Sequence, residues 1–196
     1  MRSLANRVTA VTLPAVLLVA AWAGIQYGTG NVHQVAPGLY RSGQLTAERL
    51  DGLIRSAGIR SVLNLRGAHP EASWWRDEAA VAARHGVDYR SLAISARSEP
   101  DDATMDEVAA LVARMPKPLL VHCQGGSDRS GLASAVYELT VAGESPEEAG
   151  EQLSLLYGHF PFAGSPTRAM DTAFVRFATR HEAARERVAG DLSPRP

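Results

Sequence analysis

The chain has one cysteine, Cys123, among 196 residues. An internal disulfide is therefore excluded, and so is a Cys-rich zinc site. Excess charge is missing too, with 20 Lys and Arg against 21 Asp and Glu and a net charge of -1. No basic run interleaves with aromatics, so nothing favours a nucleic-acid partner. His33, His69, His85, His159 and His181 show no ligand spacing, and neither metal nor cofactor is expected. Repeats and low-complexity segments are absent. At 45% hydrophobic and 21% charged residues, the chain is long enough to bury a single core.

One long stretch lacks any charge: Val8 to Tyr27, preceded by Arg2 and Arg7. Twenty helical residues at about 1.5 Å each span roughly 30 Å, the thickness of a bilayer's hydrocarbon. Basic residues on the N-terminal side favour export of the chain beyond the stretch. An uncleaved anchor uses residues 8–27 whole. A cleaved signal peptide uses Val8 to Ala20 with Ala21-Trp22-Ala23 as its cleavage site, and a helix buried in a soluble domain is the plainer alternative. The expected organisation is an anchor or signal segment over 1–30, a catalytic domain over 31–184 and a frayed polar tail over 185–196. The expected location is the cell envelope, on the non-cytoplasmic side.

After Gly28-Thr29-Gly30-Asn31, short apolar runs alternate with helical patterns. Extended segments are expected at Leu39–Arg41, Ser61–Leu65, Asp88–Ile94 and Leu119–Val121. Helices are expected over Thr46–Ala57 with Thr46 as N-cap, over Ser73–His85 opened by Ser73, and over Asp101–Met115. Three more are expected at Ser130–Ala142, Pro146–Tyr157 and Pro166 to about Ala184. Such alternation predicts an α/β fold, a central, mainly parallel sheet of four to five strands flanked by helices.

The stretch VHCQGGSDRSG, Val121 to Gly131, lies between a buried strand and a helix, where α/β sheets place ligands. Gly125 and Gly126 permit a tight turn whose N–H groups converge, and the following helix aims its positive end into the same concavity. This cradle suits a phosphate. Those N–H groups and a guanidinium favour thiolate over thiol at Cys123, which makes it a nucleophile. Arg129 has the planar fork to pair two phosphoryl oxygens.

His122-Cys123-Gln124-Gly125-Gly126-Ser127-Asp128-Arg129-Ser130 resembles the H-C-x-x-G-x-x-R-S/T signature of the cysteine-dependent protein tyrosine phosphatases at every specified position. Val35 to Gln44 (VAPGLYRSGQ) and Ser61 to Arg66 (SVLNLR) resemble the opening of the compact dual-specificity branch, notably its bacterial envelope and atypical members. The resemblance implies that Cys123 forms a phosphocysteine and that the amides of Gln124, Gly125, Gly126, Ser127, Asp128 and Arg129 hold the phosphoryl oxygens with the Arg129 side chain. It implies too that His122 supports the loop, that Ser130 stabilises the departing thiolate, and that no metal is used. Ser130 equally suits helix capping.

The family's general acid is an aspartate some 20 to 35 residues before the cysteine. Here that loop offers Asp101, although Ser98-Glu99-Pro100-Asp101 also reads as a helix-opening capping box. Asp128, inside the cradle, is the second candidate for acid or substrate-orienting work, set against a role in fixing the loop. Arg41 and Arg66, each ending an extended piece, are second-rank candidates to surround a polyanion, or are simply solvated. Trp74, Trp75, Phe160 and Phe162 read as packing, with stacking on a phosphotyrosine ring as the alternative. The expected function is hydrolysis of phosphate monoesters, with a phosphorylated protein as substrate. The alternatives are a phosphoinositide or inositol (pyro)phosphate substrate, a catalytically weak phosphate-binding module, or a sulfur- or arsenate-handling enzyme.

Overall fold

The structure is a computed structural model that describes Trp22, Gly24, Gln26 and residues 28–160 and 162–192. Most of the expected anchor over 8–27 lies outside the described residues. Among the described residues, no helix is long and apolar enough to cross a membrane.

Five strands form one sheet: β1 (His33–Ala36), β2 (Leu39–Ser42), β3 (Ser61–Asn64), β4 (Asp88–Ser91) and β5 (Leu119–His122), in the order β1-β2-β5-β3-β4. The hairpin strand β1 pairs antiparallel with β2; the other pairs are parallel. β3 and β5, buried at every position, occupy the interior of the sheet, with apolar Val62, Leu63 and Leu119 to Val121 between the helices on its two faces. Ser42 and Asn64 both register with His122, so three strand ends finish level and Cys123 leaves from the middle of that edge.

Period-2 alternation in β5 divides the core. Leu119 and Val121 face Met105, Val108 and Val112 of α3 (Asp102–Arg114), Leu132 and Val136 of α4 (Asp128–Tyr137), and Phe174 and Phe177 of α6 (Ala169–Leu192). Leu120 faces the other way, onto Leu50 and Ile54 of α1 (Ala47–Ala57) and Val81 of α2 (Ser73–His85). At about 25 cal/mol per Å² of apolar surface, these two layers supply the main folding drive.

Several boundaries differ from the sequence reading. Thr46 caps α1 as expected, accepting from Arg49 N at 3.3 Å. Ser73 does not cap α2; Ala72 is the cap residue, without a side-chain bond, and Ser73 is the first helical residue. The capping box at Ser98 is replaced by Asp101 itself, whose side chain accepts from Thr104 N at 2.8 Å. The strand expected to reach Ile94 ends at Ser91. Helix α4 begins two residues early, at Asp128, and its last turn, Glu138–Ala142, widens to a π-helix. The helix expected over Pro146–Tyr157 stops at Gly150 as α5 (Pro146–Gly150), and a separate 3₁₀ turn covers Leu155–Tyr157. The tail expected to fray from 185 is helical to Leu192 as part of α6.

Candidate active site

The loop after β5 is held from outside by its carbonyls. Gln124 O accepts from Gln44 N at 3.1 Å, and Gly125 O from Asn31 Nδ2 at 3.0 Å. Gly126 O and Ser127 O both accept from Arg41 Nη2, at 2.9 and 2.8 Å. In a trans peptide the C=O of one residue and the N–H of the next point in opposite directions. Four outward carbonyls therefore turn the N–H groups of Gly125, Gly126, Ser127 and Asp128 inward, toward the concave side. Gly126 N confirms this by donating to Cys123 Sγ at 3.3 Å. Gly126 has φ 79, and a Cβ there would lie 2.5 Å from Gly43 N. Only glycine fits.

Cys123 is buried, and its Sγ lies 3.4 Å from Ser130 Oγ. Arg129 Nη1 donates to Leu65 O and Ile94 O, at 3.3 and 3.2 Å, which anchors the guanidinium across the ends of two neighbouring strands. Its buried Nε has no partner among the described residues. His122 lies 2.5 Å from Glu78 Oε1, with angles short of a hydrogen bond, and its Nδ1 is 3.4 Å from Cys123 O. Glu78 continues to Gln44 Nε2 at 2.6 Å, and Gln44 Oε1 accepts from Arg66 Nη1 at 2.7 Å. A polar chain thus runs from the residue before Cys123 to the cavity wall.

Cys123 opens into a cavity of about 1050 Å³ walled by Arg49, Arg66, Arg97, Arg129 and Asp128, among others. Arg66 stacks on the Trp74 ring, 3.6 Å from its centroid, and both line the cavity. Burial, and then the charge of Arg129, lower the Arg66 pKa. Asp128 is the only carboxylate on this wall among the described residues.

The structure therefore brings together Cys123, Gln124, Gly125, Asp128, Arg129 and Arg66 on one cavity wall, with Gly126, Ser127, Ser130 and His122 behind it. Two expected residues are elsewhere. Asp101 caps α3 and does not line the cavity, because the strand that precedes it ends early and its loop docks on α6, where Arg176 bonds Glu99, Pro100 O and Asp102. Arg41 is neither solvated nor on the wall. It is fully buried under Tyr157, 4.1 Å from that ring's centroid, and also donates to Gln152 O and Oε1, both at 2.8 Å. Burial pulls its pKa down to about 10, with the Cys123 charge acting against that fall.

Sequence reading missed Asn31, Gln44, Glu78, His159 and Asp171. Arg41 and Gln44 lie in the segment VAPGLYRSGQ; the others carry no local signal. His159, fully buried, sits between Asp128 Oδ1 at 2.7 Å and Asp171 Oδ2 at 2.9 Å. Trp74 is not simple packing, since it lines the cavity, whereas Phe160 and Phe162 are about half exposed.

Residues 32–183 match the family described as the Swiss Army Knife protein, DSP-PTPase phosphatase domain (PTP-SAK). The chain belongs to that family. This PTP-SAK chain is 26% identical over 177 residues to the dual specificity protein phosphatase TpbA of Pseudomonas aeruginosa, a match covering 89% of the chain and 74% of TpbA. The crystal structure of P. aeruginosa TpbA shares the fold, with a TM-score of 0.56 and 23% identity over 74% of this chain and 83% of that one. Human DUSP28 does as well, with a TM-score of 0.55 and 19% identity over 77% of this chain and 95% of that one. This is a cysteine-dependent phosphatase of the dual-specificity branch, and its reaction runs through a phosphocysteine, as the family implies.

Proposed function

We propose that the PTP-SAK chain removes phosphate from monoesters with Cys123 as nucleophile and Arg129 and the loop amides as phosphoryl ligands. The observation that carries this is the set of loop carbonyls bonded outward while Gly126 N–H points at Sγ. Donors fixed before substrate arrives cost no reorganisation when charge develops on the phosphoryl oxygens. The sulfur attacks phosphorus, the ester oxygen leaves, and water then releases phosphate while the Ser130 hydroxyl receives the returning thiolate. Asp128 lines the cavity wall, which supports it as the group for proton transfer.

A phosphorylated protein is the first substrate reading; a crystal structure of TpbA is in complex with pTyr. A second reading is supported by the wall itself, where four arginines face one carboxylate among the described residues. That imbalance suits a phosphoinositide or inositol (pyro)phosphate carrying more than one phosphoryl group. Export with a membrane anchor over 8–27 belongs to the same proposal. Gln26, near the end of that stretch, lines the cavity, which would set the site beside the bilayer.

The deciding assay is hydrolysis of p-nitrophenyl phosphate by the full chain with and without chelator. Turnover that persists with chelator and disappears in Cys123→Ser supports the reading. Phosphate binding without turnover would reduce the chain to a binding module.

A further inference from the structure

His159 has no access to solvent, yet both its ring nitrogens face carboxylate oxygens: Nδ1 at 2.7 Å from Asp128 Oδ1, and Nε2 at 2.9 Å from Asp171 Oδ2. A neutral imidazole has one N–H, so one of these contacts would set lone pair against lone pair; the imidazolium satisfies both. Burial opposes the charged ring, but its hydrogen bonds to Asp128 and then Asp171 outweigh it and raise the pKa above 6.5. The groups facing the ring are Asp128 from α4 and Asp171 from α6, while the backbone N–H of His159 is tied to Ser154 O at 3.1 Å.

A buried cation between two anions is a poor way to stabilise a fold, because desolvation of each group offsets most of the attraction. Its placement has a clearer consequence. The Asp128 side chain is 25% exposed and reaches the cavity, whereas His159 cannot touch a substrate. The Nδ1 contact engages Oδ1 only, so the second oxygen of Asp128 has no hydrogen-bond partner among the described residues. The turn carrying His159 is itself fastened to the catalytic loop: Asn31 Nδ2 bonds both Gly125 O and Tyr157 O, at 3.0 and 2.9 Å.

We propose that His159 is a positioning residue which, clamped by Asp171, holds Asp128 at the cavity wall as the base for phosphocysteine hydrolysis. The inference rests on the phosphatase reading above. In that step the water oxygen bonds to phosphorus and the P–Sγ bond breaks. The electron pair returns to Cys123 as thiolate, and the water's proton passes to the free oxygen of Asp128 and then to solvent. With Oδ1 engaged by His159 Nδ1, the other oxygen of Asp128 is left open to take the water's proton, the part a base plays in the second step.

The test is stopped-flow turnover of p-nitrophenyl phosphate by the full chain, compared with Asp128→Asn, His159→Gln and Asp171→Asn. Asp171→Asn keeps an acceptor for Nε2–H and removes only the charge, so it remains informative should His159→Gln fold poorly. The expected result is a steady-state rate lower by about ten- to a hundred-fold in each variant. An initial burst of p-nitrophenol should grow toward one per enzyme, with phosphocysteine detectable by intact mass, and the wild-type decline of kcat at high pH should shift in Asp171→Asn. Combining Asp128→Asn with Asp171→Asn should add little. Equal slowing of burst and steady state without phosphoenzyme, or wild-type kinetics in Asp171→Asn, would overturn the proposal. No Cys123-dependent turnover in the wild-type chain would instead overturn the phosphatase reading, and this inference with it.

Discussion

Arg41 Nη2 donates to Gly126 O at 2.9 Å from behind the catalytic loop, fully buried and away from the cavity wall. The same nitrogen holds Ser127 O at 2.8 Å, and Nη1 holds two oxygens of Gln152. One guanidinium thus fastens the loop to the turn after α5, a bidentate task that a lysine ammonium does not reproduce.

Arg41→Met should therefore leave buried carbonyls unpaired, at about 1–3 kcal/mol each. Urea unfolding is expected to show a loss of several kcal/mol, and calorimetric titration with inorganic phosphate a weaker binding site. Arg41→Lys should recover only part of both.

Gly126→Ala tests the inward turn of the amides directly. A side chain at φ 79 is strained, and its Cβ would press on Gly43 N and on Ser42 C at 2.5 and 2.8 Å. Both contacts are backbone, so the loop must move. A loss of kcat of about a hundredfold or more is expected from displaced donors. Gly125→Ala, whose nearest neighbour would be Ser127 Oγ at 3.7 Å, should be far milder.

Glu138 bonds Gln152 Nε2 at 3.1 Å behind the same loop, and burial pushes its pKa from 4.5 up to about 7. Between these values the folded chain binds more protons than the unfolded one, so stability should fall as pH rises from about 4.5 to about 7 and level off above. His159, raised from 6.5, acts in the same direction, because its stabilising charge is present below that value and lost as pH rises through the folded pKa. Glu138→Gln keeps the acceptor and removes one of the two titrations. Melting temperatures at about pH 5 and about pH 8 should then differ less in the variant than in the wild type.

Arg66→Met separates the two substrate readings. It should lower kcat/KM for an inositol bisphosphate more than for the corresponding monophosphate, by about tenfold in the ratio, and added salt should shrink the difference. An unchanged ratio would leave the phosphoprotein reading as the better one.

Much of the site was legible because it is local. Cys123 to Ser130 is one strand end, one glycine turn and one helix start, and chemistry tied to such a sequence can be read along the chain. Asp101 stayed open between helix cap and acid because a capping aspartate and an acidic loop residue look alike in sequence, and only its bond to Thr104 N decides for the cap. Arg41 was misread for a related reason: an arginine closing a strand is usually solvated, and nothing local shows that α4 and the turn after α5 will cover it. His159 and Asp171 lie 31 and 43 positions beyond Asp128, so no spacing rule links them to it.

The sequence by itself determined the α/β alternation and the meeting of Cys123, the glycine turn and Arg129 at one strand end, since each depends on local propensity and glycine geometry. Only the tertiary structure decided what holds the cradle open and which carboxylate reaches the cavity. Those outcomes depend on level strand ends and on loops that meet across more than a hundred residues, as Arg41 and Gln152 do. Contacts of that range come from packing two core layers on one sheet.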